Sequence, residues 1–135
     1  MKKRLSVCVL LFLVCVLPIR ANFILLPMDD VSQKNHLKAY GITYWVLSKE
    51  YKASWLLNYR GGSFLLPDAP EIRKECQIRG VSFEILSDGA ANQILDEISS
   101  PSQNMETVVL EKAPKIAVYT PKGKQPWDDA VTMVL

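Results

Sequence analysis

Histidine occurs once and cysteine three times in the 135 residues, and that scarcity removes several chemistries at the outset. A metal centre needs several clustered His, Cys, Asp or Glu ligands, and His36 has no such neighbours in the sequence. A nucleophilic pair of Cys76 with His36 is formally available, but no spacing supports it. The GxSxG, HExxH, CxxC and P-loop patterns, each of which carries a catalytic or phosphate-binding mechanism, do not occur. Long apolar runs are missing too. The longest, Leu5 to Leu17, falls short of the about 20 residues that a membrane-spanning helix needs. Internal repeats and low-complexity tracts are absent.

What the first residues do hold is a basic start (Lys2, Lys3, Arg4), that apolar run, then Pro18 and a small residue at Ala21. This layout predicts a secretory signal peptide over residues 1–21, hence an exported protein, periplasmic or extracellular, that meets the membrane only during export. Val14 stands where a small residue should precede a lipidated Cys15, which excludes a lipoprotein signal. Four of the sixteen Lys and Arg residues belong to this segment, leaving twelve bases against fourteen acids and a net charge of −2. The apparent basicity is a targeting feature, and a nucleic-acid partner, which would need a clustered basic face, is not expected. Cys8 and Cys15 leave with the signal. Cys76 then has no cysteine to pair with, and reads as a small buried apolar residue rather than a nucleophile.

The 49% apolar and 22% charged composition suits a folded chain. "NFILLPMDDVSQ" predicts an extended segment ending at Pro27. "SQKNHLKAYG" offers a helix from Ser32 to a stop at Gly41. "ITYWVLS", a bend at "KEYKA" and "SWLLNYR" read as two antiparallel strands, apolar on both faces. Gly61 and Gly62 make a turn or bulge before a third strand, "SFLLP". "APEIRKECQIR" is a helix with Asp68 as candidate N-cap, Pro70 in the first turn, Gly80 after the last, and Ile72 and Cys76 on its apolar face. "VSFEIL" alternates, with Val81, Phe83 and Ile85 inward. "SDGAANQILDEISS" is a helix capped near Ser87 or Asp88 with a stripe of Ala91, Ile94, Leu95 and Ile98, and "ETVVLE" is a strand. Residues 22–112 are therefore expected to form a small α+β domain, a mixed sheet with two or three helices.

After Pro114 the pattern changes. "IAVYT" is apolar without alternation, as in a strand buried on both faces of a parallel sheet. A loop with Gly123 and Pro126 leads to "WDDAVTMVL", whose Ala130, Val131 and Val134 fit a helix packing on that sheet. Asp128 and Asp129 fall in its first turn, where the helix dipole favours them. Residues 113–135 are expected to begin a truncated α/β domain that continues beyond Leu135.

Two stretches are candidate ligand sites. In "NYRGGSF", Gly61 and Gly62 let the backbone approach a ligand while Arg60 could hold a carboxylate or phosphate. The alternative is a plain hairpin turn with a solvated arginine. In "TPKGKQPWDD", Thr120, Lys122, Gly123 and Lys124 follow a strand end beside a helix start, where an anion could bind. The alternative is an ordinary surface loop. His36 reads as a surface or capping histidine.

The segments "LLPMDD", "NHLKAYGITYWVL", "WLLNYRGGSFLLP", "RGVSFEI" and "LEKAPKIAVYTPKGKQPWDDAVTMVL" resemble the start of a family of longer, exported bacterial proteins commonly labelled asparagine synthetase B. The resemblance covers nearly all of residues 24–135. It implies a small N-terminal domain followed by a flavodoxin-like α/β domain, starting at Lys115, of the class I glutamine amidotransferase kind. Asparagine synthetases of the labelled type use an N-terminal cysteine as glutaminase nucleophile, whereas here residue 2 is Lys and signal cleavage exposes Asn22. Their glycine-rich ATP loop is absent from these residues, and an amidotransferase nucleophile would follow Leu135. The expectation is an accessory or binding domain, without catalytic residues, metal or cofactor, whose partner is the downstream amidotransferase-like domain and whose small-molecule ligand is unknown. Glutamine-dependent asparagine synthesis and a structural role in the cell envelope are the alternatives.

Overall fold

The computed structural model describes residues 22–117. The expected signal peptide, with Cys8 and Cys15, lies outside them. So do Thr120, Lys122, Gly123, Lys124 and the helix expected from Trp127. Ile116 and Ala117, the described start of the expected "IAVYT" strand, are exposed and without regular structure.

Five strands form one sheet: β1 (Asn22–Leu26), β2 (Ala53–Leu57), β3 (Phe64–Pro67), β4 (Glu84–Ser87) and β5 (Glu106–Leu110). Among the described residues there are three helices: α1 (His36–Ser48), α2 (Pro70–Arg79) and α3 (Asp88–Ile98). The class is α+β, as the sequence pattern implies. The strand order is β4-β1-β3-β2-β5, and every pairing is antiparallel rather than mixed.

Alternating side chains split the sheet into two faces. On one, Ile24, Leu26, Ala53, Phe64 and Leu66 pack against α1 and α2. On the other, Leu25, Leu56 and Leu65 pack against α3. Burying each such side chain contributes about 1.5–3 kcal/mol. Both sheet faces being apolar at β1 and β3 explains why "FILL" and "FLLP" show no alternation.

The stretch "ITYWVLS" is the main correction, since it is helical. α1 starts at His36, not Ser32, and runs through Gly41 to Ser48. Its buried residues are Ala39, Ile42, Thr43, Val46 and Leu47, a spacing of three and four that only a helix puts on one side. A β-branched run of seven residues is ambiguous by itself, and burial of this stripe overrides strand propensity. Gly41 does not end the helix because it keeps right-handed backbone. The Arg79 side chain of α2 passes over it, 3.5 Å from where a Cβ would stand.

Before α1, the Asp29 carboxylate accepts from the Ser32 amide at 2.8 Å and closes a turn, which delays the helix. Gln33 is buried there. Its amide donates to the Ser82 carbonyl (3.2 Å) and accepts from the Ser82 amide (3.3 Å), tying this turn to the approach to β4.

α2 begins after Ala69 rather than at an Asp68 cap. The Asp68 carboxylate is taken by Arg73 instead. Gly80 closes the helix in the left-handed region at φ 66°, where glycine carries no Cβ penalty. Ile72 and Cys76 are fully buried, as their spacing predicts. β4 starts only at Glu84. Val81 is buried and Phe83 partly so, but Ile85 is 50% exposed, because β4 is an edge strand with no helix over that position. α3 is as read: Ser87 accepts from the Ala90 amide at 3.3 Å, with Ala91 and Ile98 buried and Ile94 and Leu95 packed alongside.

Candidate functional site

Two places concentrate chemistry, and the turn after β2 serves both. Asn58, Arg60, Gly61 and Gly62 all have positive φ, 61°, 44°, 79° and 90°. The turn is tight because the Tyr59 carbonyl accepts from the Gly62 and Ser63 amides, each at 3.0 Å.

The turn aims the Arg60 guanidinium at acceptors of the same chain. Nε donates to Asp29 Oδ2 at 3.0 Å. Nη1 and Nη2 donate to the two Glu84 oxygens at 3.1 and 2.8 Å, and Nη2 also reaches Ser32 Oγ at 2.9 Å. The Glu84 contact is the bidentate geometry that makes arginine a good carboxylate holder. Hydrogen bonds from Ser32, then the guanidinium of Arg60, hold the Asp29 carboxyl down at about 2. The Glu84 carboxylate, and after it Asp29, raises the Arg60 pKa further. Arg60 thus clasps the turn before α1 to strand β4, with internal carboxylates at the positions a ligand acid would take.

Gly61 and Gly62 also meet their own chain. A Cβ on Gly61 would lie 2.4 Å from the Met28 carbonyl oxygen. The Gly62 carbonyl accepts from the Trp55 indole Nε1 at 3.1 Å. That bond leads to the second place.

Beside α1, on the face it shares with α2, no described element covers the sheet over β2 and β5. A groove of about 450 Å³ results. Trp55, Phe64 and Leu110 line its floor, Tyr40, Thr43, Tyr44 and Leu47 of α1 line one wall, and Lys112 and Pro114 lie where the chain leaves β5. Trp55 and Phe64 stack, centroids 6.1 Å apart and planes 19° apart. Tyr40 meets Phe64 edge-on at 5.5 Å and 77°. Tyr40 and Tyr44 are 47% and 48% exposed, so the wall is open. The Thr43 hydroxyl donates to the Ala39 carbonyl at 3.2 Å, and the indole N–H is already bonded, so the lining is chiefly apolar. Lys112 is its charged member. The nearby Lys52 is paired with Glu111 at 2.9 Å, whereas Lys112 has no acidic partner among the described residues.

Of the residues singled out in the sequence, Arg60, Gly61 and Gly62 come together, and the groove was not foreseen. Its signal was Tyr40 and Tyr44, four apart on one helix face, hidden by the reading of residues 42–48 as a strand. His36 Nε2 lies 3.1 Å from the Met28 carbonyl oxygen. Cys76 is buried in the core, and burial pushes its thiol up to about 11. Among the described residues no group of three or more His, Cys, Asp or Glu side chains is placed to hold a metal ion, and no helix is long and apolar enough to cross a membrane.

Comparison with protein-family models, with curated proteins and with solved structures gives no match.

Proposed function

We propose that residues 22–112 are a binding domain that accompanies an amidotransferase-like domain of the same polypeptide outside the cytoplasm, and that the aromatic groove is its recognition surface. The observation that carries this is the groove itself, a concave apolar surface with a stacked Trp55–Phe64 floor and a half-exposed tyrosine wall. Ligand sites are of this kind: concave, mostly apolar, with few polar groups. The charged cluster at Arg60 fits a structural clasp better, because its donors already have acceptors. The amidotransferase-like partner comes from the sequence resemblance.

The test is binding of Nile red, a neutral probe whose emission rises in apolar sites, to the full chain and to Tyr44→Ser. Tyr44 is exposed, so the substitution leaves the core intact. The reading expects enhanced emission that falls at least severalfold in the variant. Emission that is absent, or equal in both proteins, overturns it.

A further inference from the structure

We infer that the groove takes a small planar aromatic molecule carrying an anionic group; this rests on the groove being the recognition surface. Three features specify that chemistry. The floor offers the partly exposed Trp55 ring, stacked on the buried Phe64 ring, with Tyr40 edge-on to Phe64 and half exposed beside it. Aromatic rings favour offset-stacked or edge-to-face partners, so a flat π-face gains more there than a flexible aliphatic body. The volume, about 450 Å³, lies toward the lower end of the about 300–1,000 Å³ found for small-ligand sites. A mono- or bicyclic ring system fits that volume. Finally, the lining includes Lys112 and neither Asp nor Glu. With Lys52 already paired with Glu111, Lys112 is the lining residue that brings positive charge to this side of the groove. Lys112 is exposed, so an anionic substituent on a ring seated against Trp55 would form a surface ion pair with it, a small and salt-sensitive preference.

Three probes separate the components: 2-naphthoate, its neutral analogue 2-naphthamide, and hexanoate, an anion without a ring. Each is titrated into the full chain at low salt, following the Trp55 indole N–H and the Tyr44 ring by NMR. The inference expects 2-naphthoate to bind about two- to fivefold more tightly than 2-naphthamide, the scale of one exposed ion pair. Lys112→Met should remove that preference. Raised salt should narrow it as well. Hexanoate should not shift Trp55 at concentrations that saturate with naphthoate. Equal affinities for 2-naphthoate and 2-naphthamide, or a preference that survives Lys112→Met, overturn the anionic component. Hexanoate binding as tightly as 2-naphthoate overturns the aromatic one. If the Tyr44-dependent Nile red signal is present while these preferences are missing, the ligand class is wrong and the groove stands. Loss of both sinks the recognition surface itself.

Discussion

The indole N–H of Trp55 donates to the carbonyl of Gly62 at 3.1 Å, so the floor of the groove is held by the same turn that presents Arg60. A Cβ on Gly62 would come within 3.3 Å of that indole nitrogen. The two glycines therefore serve the geometry of the groove from behind.

Gly61→Ala should be the costlier of two glycine substitutions at positive φ. Gly61 and Gly80 have φ of 79° and 66°, but a Cβ on Gly61 would sit 2.4 Å from a backbone oxygen while one on Gly80 meets nothing within 4 Å. Left-handed backbone alone costs a non-glycine residue about 1–3 kcal/mol. Urea unfolding should show Gly80→Ala inside that range and Gly61→Ala beyond it. Equal losses would mean that the Met28 backbone yields easily.

Gly41→Ala should stabilise. The position is interior to α1 and a methyl there makes only ordinary contact with Arg79. Alanine in place of a helical glycine gains about 0.5–1 kcal/mol. A lower urea midpoint would argue that the helix stops at Gly41 after all.

Within α1, Ile42→Ala should cost about 2–5 kcal/mol, as buried aliphatic truncations do, because Ile42 is fully buried. Tyr44→Ala should cost under about 1 kcal/mol, in the range of surface changes. A strand would place these two residues on one face and make their losses alike.

That contrast shows what the sequence could and could not convey. The α2 and α3 helices were legible because their punctuation is local: Pro70 and Gly80 bound one, Ser87 caps the other. β2, β3 and β5 were legible as short apolar runs between turns. α1 was misread because its stripe, Ala39 to Leu47, straddles Gly41, and a window closed at that glycine leaves only β-branched and aromatic residues. Arg60 could be picked out, but its partners lie 31 and 24 residues away at Asp29 and Glu84. No local pattern announces such a pairing. The groove exists only where a helix and three strands meet, and it depends on α1 being a helix.

Acid should weaken the clasp in a defined window. The Asp29 carboxyl is held at about 2 against an ordinary 3.8. A group with a depressed folded-state pKa adds stability that is complete above its unfolded value and is lost as pH falls through the folded one. Stability should therefore decline between about pH 4 and pH 2, and Asp29→Asn should flatten that limb. Unchanged pH dependence in the variant would show that Asp29 is not the titrating group.

Cys76 should react with a thiol reagent only when the chain opens. It is fully buried, with its thiol pushed up to about 11, and reactivity requires an accessible thiolate. Labelling by dithionitrobenzoate at pH 8 should be slow in the native protein and rapid in urea. Rapid native labelling would contradict its place in the core.

The position of β1 has a consequence for assembly in time. This first strand lies between β3 and β4, pairing Leu25 with Leu65 on one side and with Glu84 on the other. Both partners come much later in the chain, so their pairing must overcome loop-closure entropy before it is rewarded. A chain emerging from its N-terminus would make β1 early and hold it with a bare edge until residues 84–87 arrive. The first described strand to be synthesised thus keeps one edge unpaired until β4 arrives, after β3, α1 and α2 have all been made.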